Sequence, residues 1–329
     1  MNAFPFIKKL LIFTAGLVPI VGVLAVYTYR SDIRLHGFRS MPTNNFSNSI
    51  SFNALVQNLH ETNKINELEF LVLGSSMALN NVSAEMMEDS LHLKTYNFSS
   101  WGTKGPGLLR IIENIDFSNC RQVLLPFGNQ DLNDSIQFEI NNLPLINTYL
   151  RNSNNWVSQA EAFFYKFNFN NFLDTWKVRS RDLYKTNTYT SLKYGRCGSV
   201  LLDSTEFEIS AKRYERYFDT TGFSSFFTNI NSLHALLAKK NVTLTLVYLP
   251  WRNDLITPGR QQANNNVVAA LKAKFGKHFI NLNNLKIDKS LFCDGSHLFR
   301  PGAEMLTRNI IDSIRGNKKE TLLVTGLNK

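Results

Sequence analysis

Five short apolar runs punctuate the chain: Glu69–Leu73, Leu93–Asn97, Gln122–Phe127, Val242–Leu249 and His278–Leu282. Runs such as VTLTLVYL suit strands buried on both faces. Between them apolar positions return at helical spacing. They predict helices at Ala84–Ser90, Gly107–Asn114, Phe226–Lys240, Gln261–Phe275 and Gly302–Arg315. The helix that ends at Lys239 and Lys240 carries its cations where the helix dipole favours them. Strand–helix alternation predicts an α/β fold, a three-layer α/β/α arrangement around a five-stranded parallel sheet. Ligands of such sheets gather beyond the carboxyl ends of the strands. The turns that follow the strands are therefore the first place to look for chemistry.

A different pattern opens the chain. Leu10 to Val26, LLIFTAGLVPIVGVLAV, is uncharged, preceded by Lys8 and Lys9 and followed by Tyr27 and Tyr29. As a helix it would reach about 26 Å, close to the thickness of a bilayer core. It reads as an uncleaved single-pass anchor over residues 1–29. A cleaved signal peptide has the same layout, with Val23-Leu24-Ala25 as a tolerable cleavage site, and a buried helix is the third reading. Arg30, Arg34 and Arg39 dilute the positive-inside signal, so the shortness of the N-terminus decides the orientation, with the bulk outside the cytoplasm. Residues 30–66 are polar and Asn/Ser-rich, and read as a stalk with a short helix around Ala54–His60. The folded domain is expected over 67–316, with a tail over 317–329.

Roughly 90 residues, 133–222, separate the third strand from the helix before the fourth, too many for a plain connection. This expected helical insertion carries eight aromatics between Trp156 and Trp176. They read as the inner face of a lid, as sugar-stacking faces, or as a surface docking on a membrane partner. Lys177 to Arg196 holds six basic residues against one acid, Asp182. It is either a solvated face or a neighbour of an anionic glycan or lipid headgroup. The net charge of +10 has no recognition motif beside it, so no nucleic-acid partner is expected. Cys120, Cys197 and Cys293 make no disulfide framework, although one pair could form. No metal-ligand spacing and no phosphate-binding glycine loop is present, so no metal and no cofactor are expected.

Four polar turns follow the strands. Gly74-Ser75-Ser76-Met77-Ala78 follows the first and Asn97-Phe98-Ser99-Ser100-Trp101-Gly102 ends the second. Gly128-Asn129-Gln130-Asp131 follows the third, and Asp294-Gly295-Ser296-His297 follows the fifth, ahead of Arg300-Pro301-Gly302. Each alone is an ordinary turn. In this order, at the ends of a parallel sheet, they make a stronger signal.

The four turns resemble the sequence blocks of the SGNH/GDSL hydrolase superfamily, over about residues 67–316. The resemblance implies a flavodoxin-like fold and a serine nucleophile at Ser76, the third position of Gly-Ser-Ser. It implies a base and its orienter at His297 and Asp294. It implies an oxyanion hole from Ser76, Gly102 and a block-three amide. Two positions depart from the family pattern. Ser75 stands where the family has aspartate, as in the membrane-anchored branch that includes D-alanine transfer and alginate O-acetylation proteins. Gln130 stands where the family has asparagine, with Asn129 one place earlier; the alignment prefers Gln130, and either amide can donate.

In that scheme Ser76 attacks an ester carbonyl, His297 takes its proton and returns it to the leaving alcohol, and Asp294 holds the other ring nitrogen. His36 and His60 lie in the expected stalk, His234 lies within a helix and His278 opens the fifth strand; His92 follows Asp89 at Asp-x-x-His spacing but precedes the second strand, and Cys293 has no base of its own. An α/β-hydrolase is disfavoured, because its nucleophile elbow follows several strands rather than the first. The expected function is acyl ester transfer or hydrolysis on an exported or cell-surface polysaccharide. The site is expected on the outer side of the cytoplasmic membrane. By resemblance, an integral-membrane acyltransferase is the expected partner. The alternatives are a general small-ester esterase or lipase, and a catalytically weak scaffold or glycan-binding protein.

Overall fold

A computed structural model of the protein describes residues 4–36, 47, 49–62, 64–132, 138–140, 146–147, 150, 194–203 and 222–326. Five strands, β1 (Phe70–Val72), β2 (Thr95–Asn97), β3 (Gln122–Phe127), β4 (Thr243–Tyr248) and β5 (Phe279–Asn281), form one sheet in the order β2-β1-β3-β4-β5. Every pairing is parallel, with Leu71 opposite Tyr96 and Val123, and Leu246 opposite Leu124's neighbour Leu125 and Phe279. All five strands lie inside the runs read from the sequence.

Successive strand residues point to opposite faces, and here both faces are apolar. Leu71, Val123, Leu125, Leu244, Leu246 and Tyr248 enter one buried cluster, while Phe70, Val72, Leu124, Val247 and Ile280 enter the other. The first cluster is completed by α2 (Ile50–Glu61), α5 (Gly105–Asn114), α6 (Phe223–Lys239) and α7 (Pro258–Phe275). The second is completed by α3 (Ser76–Asn81), α4 (Ala84–Leu91) and α8 (Arg300–Gly326). Helix starts follow local chemistry: Ser75, Ser83 and Thr257 cap α3, α4 and α7 by accepting backbone N–H bonds from Met77, Met86 and Arg260.

The expected stalk over 30–66 differs from what is seen. Helix α2 is part of the folded domain: Phe52, Leu55, Val56 and Leu59 are fully buried. Each such side chain contributes roughly 1.5–3 kcal/mol of burial, and the stripe they form at i, i+3, i+4 and i+7 outweighs the polar composition around it. The expected insertion 133–222 is likewise not wholly separate. Cys197, Val200 and Leu202 are buried, and the backbone of 197–202 bonds to Asn97, Leu79 and Arg300. Helix α8 continues through the expected tail to Gly326. The aromatic stretch Trp156–Trp176, and the basic stretch from Lys177 as far as residue 193, lie outside the described residues.

Helix α1 (Phe4–His36) contains the uncharged run and continues past it. Its segment Phe6–Val23 has a mean hydropathy of 1.9 and buries none of its surface against the rest of the chain. It is long and apolar enough to cross a membrane, and it stands near the N-terminus.

Candidate active site

Ser76 opens α3 directly beyond β1, and the turn before it is tight. A Cβ on Gly74 would come within 2.8 Å of the Ala78 side chain and 3.0 Å of the Pro126 carbonyl oxygen. His297 belongs to the loop beyond β5, 221 positions along the chain, yet its Nε2 lies 2.9 Å from Ser76 Oγ. Its Nδ1 lies 2.7 Å from Asp294 Oδ2. The other Asp294 oxygen accepts the backbone N–H groups of Ser296 and His297, each at 2.7 Å. That turn fixes the carboxylate against the ring, and both residues are buried.

The loop is held from the serine's own helix. Asn81, in the last turn of α3, donates to the Ser296 carbonyl (2.9 Å) and accepts the Leu298 N–H (2.8 Å), gripping the backbone on both sides of His297. On its face the imidazole meets Trp101, with ring centroids 6.2 Å apart and planes 15° from parallel.

The electrostatics favour a basic imidazole. Burial by itself would lower the His297 pKa, but the charge and hydrogen bond of Asp294, helped by the charge of Asp131, hold it above the usual histidine value. Asp294 is shifted the other way: burial opposes its charge, but His297 and two backbone donors keep it below the usual carboxylate value. Asp131, buried beneath the serine turn, is raised by burial against hydrogen bonds from Ser75 and the Gly128 N–H and the nearby charges of Lys104 and His297.

Three potential donors lie in the turns beyond β1, β2 and β3. The Ser76 N–H is at the first position of α3, where no intrahelical acceptor exists. Gly102, at φ 77°, ends the turn after β2 in a conformation that favours glycine. The third comes from the loop after β3, which lies against the serine turn: a Cβ on Gly128 would meet the Met77 side chain at 2.7 Å. Of the two amides in that loop, Asn129 is the buried one, 1% exposed, and its Nδ2 has no hydrogen-bond partner. Gln130 is half-buried, and its backbone carbonyl accepts Lys104 Nζ at 3.0 Å.

Asn97 serves the scaffold rather than the reacting end: its side chain bonds to the carbonyls of Ala78 and Val82 and to the Ser99 N–H. Cys120, Cys197 and Cys293 are buried, and none of them is in a disulfide. Among the described residues no group of three His, Cys, Asp or Glu side chains is placed to hold a metal ion.

Ser76, Gly102, Asn129, Asp294 and His297 are thus brought to one rim of the sheet. Sequence reasoning gave no role to Asn81, Trp101 or Asp131. Trp101 and Asp131 lay inside the quoted turns, so proximity along the chain was the available signal. Asn81 carried none, since an asparagine ending a helix reads as an ordinary cap. No protein-family model matches the chain, and no curated protein matches it. The arrangement can chemically support proton transfer from a serine hydroxyl to a carboxylate-oriented imidazole beside oxyanion donors.

Proposed function

We propose that the protein is a serine-dependent acyl ester hydrolase or O-acyltransferase of SGNH/GDSL type, with a three-layer α/β/α catalytic domain. The observation that carries this reading is the unbroken hydrogen-bonded line Ser76–His297–Asp294, assembled from turns 221 positions apart. Ser76 attacks the acyl carbonyl while His297 Nε2 takes the hydroxyl proton. The tetrahedral oxyanion is received by the N–H groups of Ser76 and Gly102 and the amide of Asn129. Collapse expels the alcohol, protonated by His297, and leaves an ester on Ser76. Water or a sugar hydroxyl, deprotonated by the same imidazole, then releases the acyl group.

The apolar segment Phe6–Val23 of α1 supports association with a membrane; in this reading the site lies outside the cytoplasm of a bacterial cell. The acceptor of this reading is an exported or cell-surface polysaccharide, and the partner is an integral-membrane acyltransferase. The test is turnover of p-nitrophenyl acetate by the full chain in detergent, with and without acetylated polysaccharide or its deacetylated form as acceptor. The reading requires ester cleavage that Ser76→Ala abolishes. Acyl transfer onto glycan marks the transferase, while release to water alone marks a general esterase. A folded wild type without turnover on either would leave a scaffold and refute the enzyme.

A further inference from the structure

Behind Asn129 lies a row of buried polar side chains with no part in the scheme above. Tyr248 ends β4, Asn264 lies within α7, and Asn283 follows β5; each is at most 1% exposed. Tyr248 Oη meets Oδ1 of Asn129 and, at 2.7 Å, Oδ1 of Asn264. Asn264 Nδ2 lies 3.2 Å from Asn283 Oδ1, and Asn283 Nδ2 has no partner. Burial holds the Tyr248 phenol far above its ordinary pKa, so it stays protonated.

A phenol has one hydrogen to donate, so it cannot serve two carbonyl oxygens. One of the two amides must present its nitrogen to Tyr248. Two arrangements are consistent with that. If Asn129 turns, its carbonyl oxygen takes the place of the amide nitrogen at the serine turn, where it would repel an oxyanion. The Asn283 amide nitrogen then stays unpaired. If instead Asn264 and Asn283 turn together, Asn283 donates to Asn264 Oδ1 and Asn264 donates to Tyr248 Oη. Tyr248 then donates to Asn129 Oδ1. The buried Asn283 nitrogen gains its acceptor, and the Asn129 NH2 is left for the reacting group. Each arrangement leaves one buried amide nitrogen unpaired, that of Asn283 in the first and that of Asn129 in the second. Only the second leaves it in the loop beside the serine turn, where a reacting oxyanion offsets the cost of an unpaired donor, so the second arrangement is the one the serine chemistry can use.

We propose that Tyr248, Asn264 and Asn283 form a one-directional hydrogen-bond relay that fixes the Asn129 amide with its nitrogen toward the oxyanion. They are positioning residues, and the proposal rests on the serine acyl-transfer reading. Nothing in it requires them to touch substrate. The relay reaches the site through the far side of the sheet, from β4, α7 and the loop after β5. It thereby ties donor orientation to β4 and α7, which carry neither the serine nor the histidine, and to the start of the loop that later carries His297.

The experiment is steady-state kinetics of the full chain on p-nitrophenyl acetate, in a cycle of Tyr248→Phe, Asn129→Ala and the double variant. Loss of one oxyanion donor lowers kcat by about 10²–10³, the effect expected of Asn129→Ala. Tyr248→Phe is expected to lower kcat at least tenfold with KM nearly unchanged, and to add nothing on the Asn129→Ala background. Should Tyr248→Phe fail to fold, Asn264→Leu, one step further from the site, takes its place in the same cycle. An unchanged kcat in the folded single variant overturns the relay. So does a loss that multiplies in the double variant, since a general structural defect would act without Asn129. An inert wild type overturns the serine reading and the relay together, a result distinct from an active wild type whose Tyr248→Phe variant is equally fast.

Discussion

Asn81→Ala removes the two bonds that fix the backbone on either side of His297. The Asn81 amide spans Ser296 O at 2.9 Å and Leu298 N at 2.8 Å, all three residues being buried. Truncation leaves one carbonyl and one N–H without partners, and each unsatisfied buried group costs about 1–3 kcal/mol. The expected destabilisation is therefore roughly 2–6 kcal/mol, or about 4–24 °C in Tm for a domain of this size. The catalytic effect should exceed the stability effect in diagnostic value. A displacement of about 1 Å in a reacting group can cost on the order of 10²-fold in rate, and the Asn81 amide holds the backbone on both sides of His297. The assay is p-nitrophenyl acetate hydrolysis at least 15 °C below the variant's Tm, read with thermal unfolding of the same preparation, following the scale of the expected shift. A fall in kcat of at least about tenfold with little change in KM is expected. A folded variant with lowered Tm and wild-type kcat would refute the clamp's role in positioning, and an unchanged Tm would refute the hydrogen bonds themselves.

Other perturbations bear on separate parts of the account. Asp131→Asn removes an anion that raises the His297 pKa. Because the base must be neutral to act, the acidic limb of kcat/KM lies above the ordinary histidine pKa of about 6.5 in the wild type. It moves to lower pH in the variant, and an unmoved limb or an upward shift contradicts the electrostatics. Gly198→Ala should destabilise by roughly 2 kcal/mol or more. Its φ is 85° and the added Cβ would lie 2.5 Å from the Asn97 carbonyl oxygen. Gly316→Ala, in α8 with nothing within 4 Å, should instead gain about 0.5–1 kcal/mol in urea unfolding. A chain lacking residues 1–36 should leave the membrane fraction for the soluble one; continued sedimentation with membranes would mean that α1 is not what holds the protein there.

Much of the fold was legible because its signals are local. VTLTLVYL can hardly be anything but a doubly buried strand, and Asp294 and His297 are close enough in sequence for one turn to join them. The strand–turn–helix at Gly74–Ala78 likewise declares itself by composition. What escaped depends on partners distant in sequence. Helix α2 had its apolar stripe, Phe52, Leu55, Val56 and Leu59, but the serines and asparagines around it looked like a solvated linker. Those serines have tertiary partners: Ser49 and Ser51 meet Ser100, and Ser51 accepts the Trp101 N–H. Segment 194–203 has no period: beyond the turn bonds of the Gly195 N–H to the Ser199 carbonyl and the Gly198 N–H to the Gly195 carbonyl, its backbone bonds go to Asn97, Leu79 and Arg300. The alignment preferred Gln130 to Asn129, whereas burial, the unpartnered Nδ2 and the Tyr248 contact favour Asn129.

The central claim is that the Ser76 hydroxyl is made nucleophilic by His297. Reaction of the full chain with a fluorophosphonate, followed by peptide mapping, tests it most directly. The account requires one adduct, on Ser76, absent in Ser76→Ala and strongly slowed in His297→Ala with the fold intact. An adduct on Ser75, or labelling of Ser76 that proceeds equally fast without the imidazole, would contradict it.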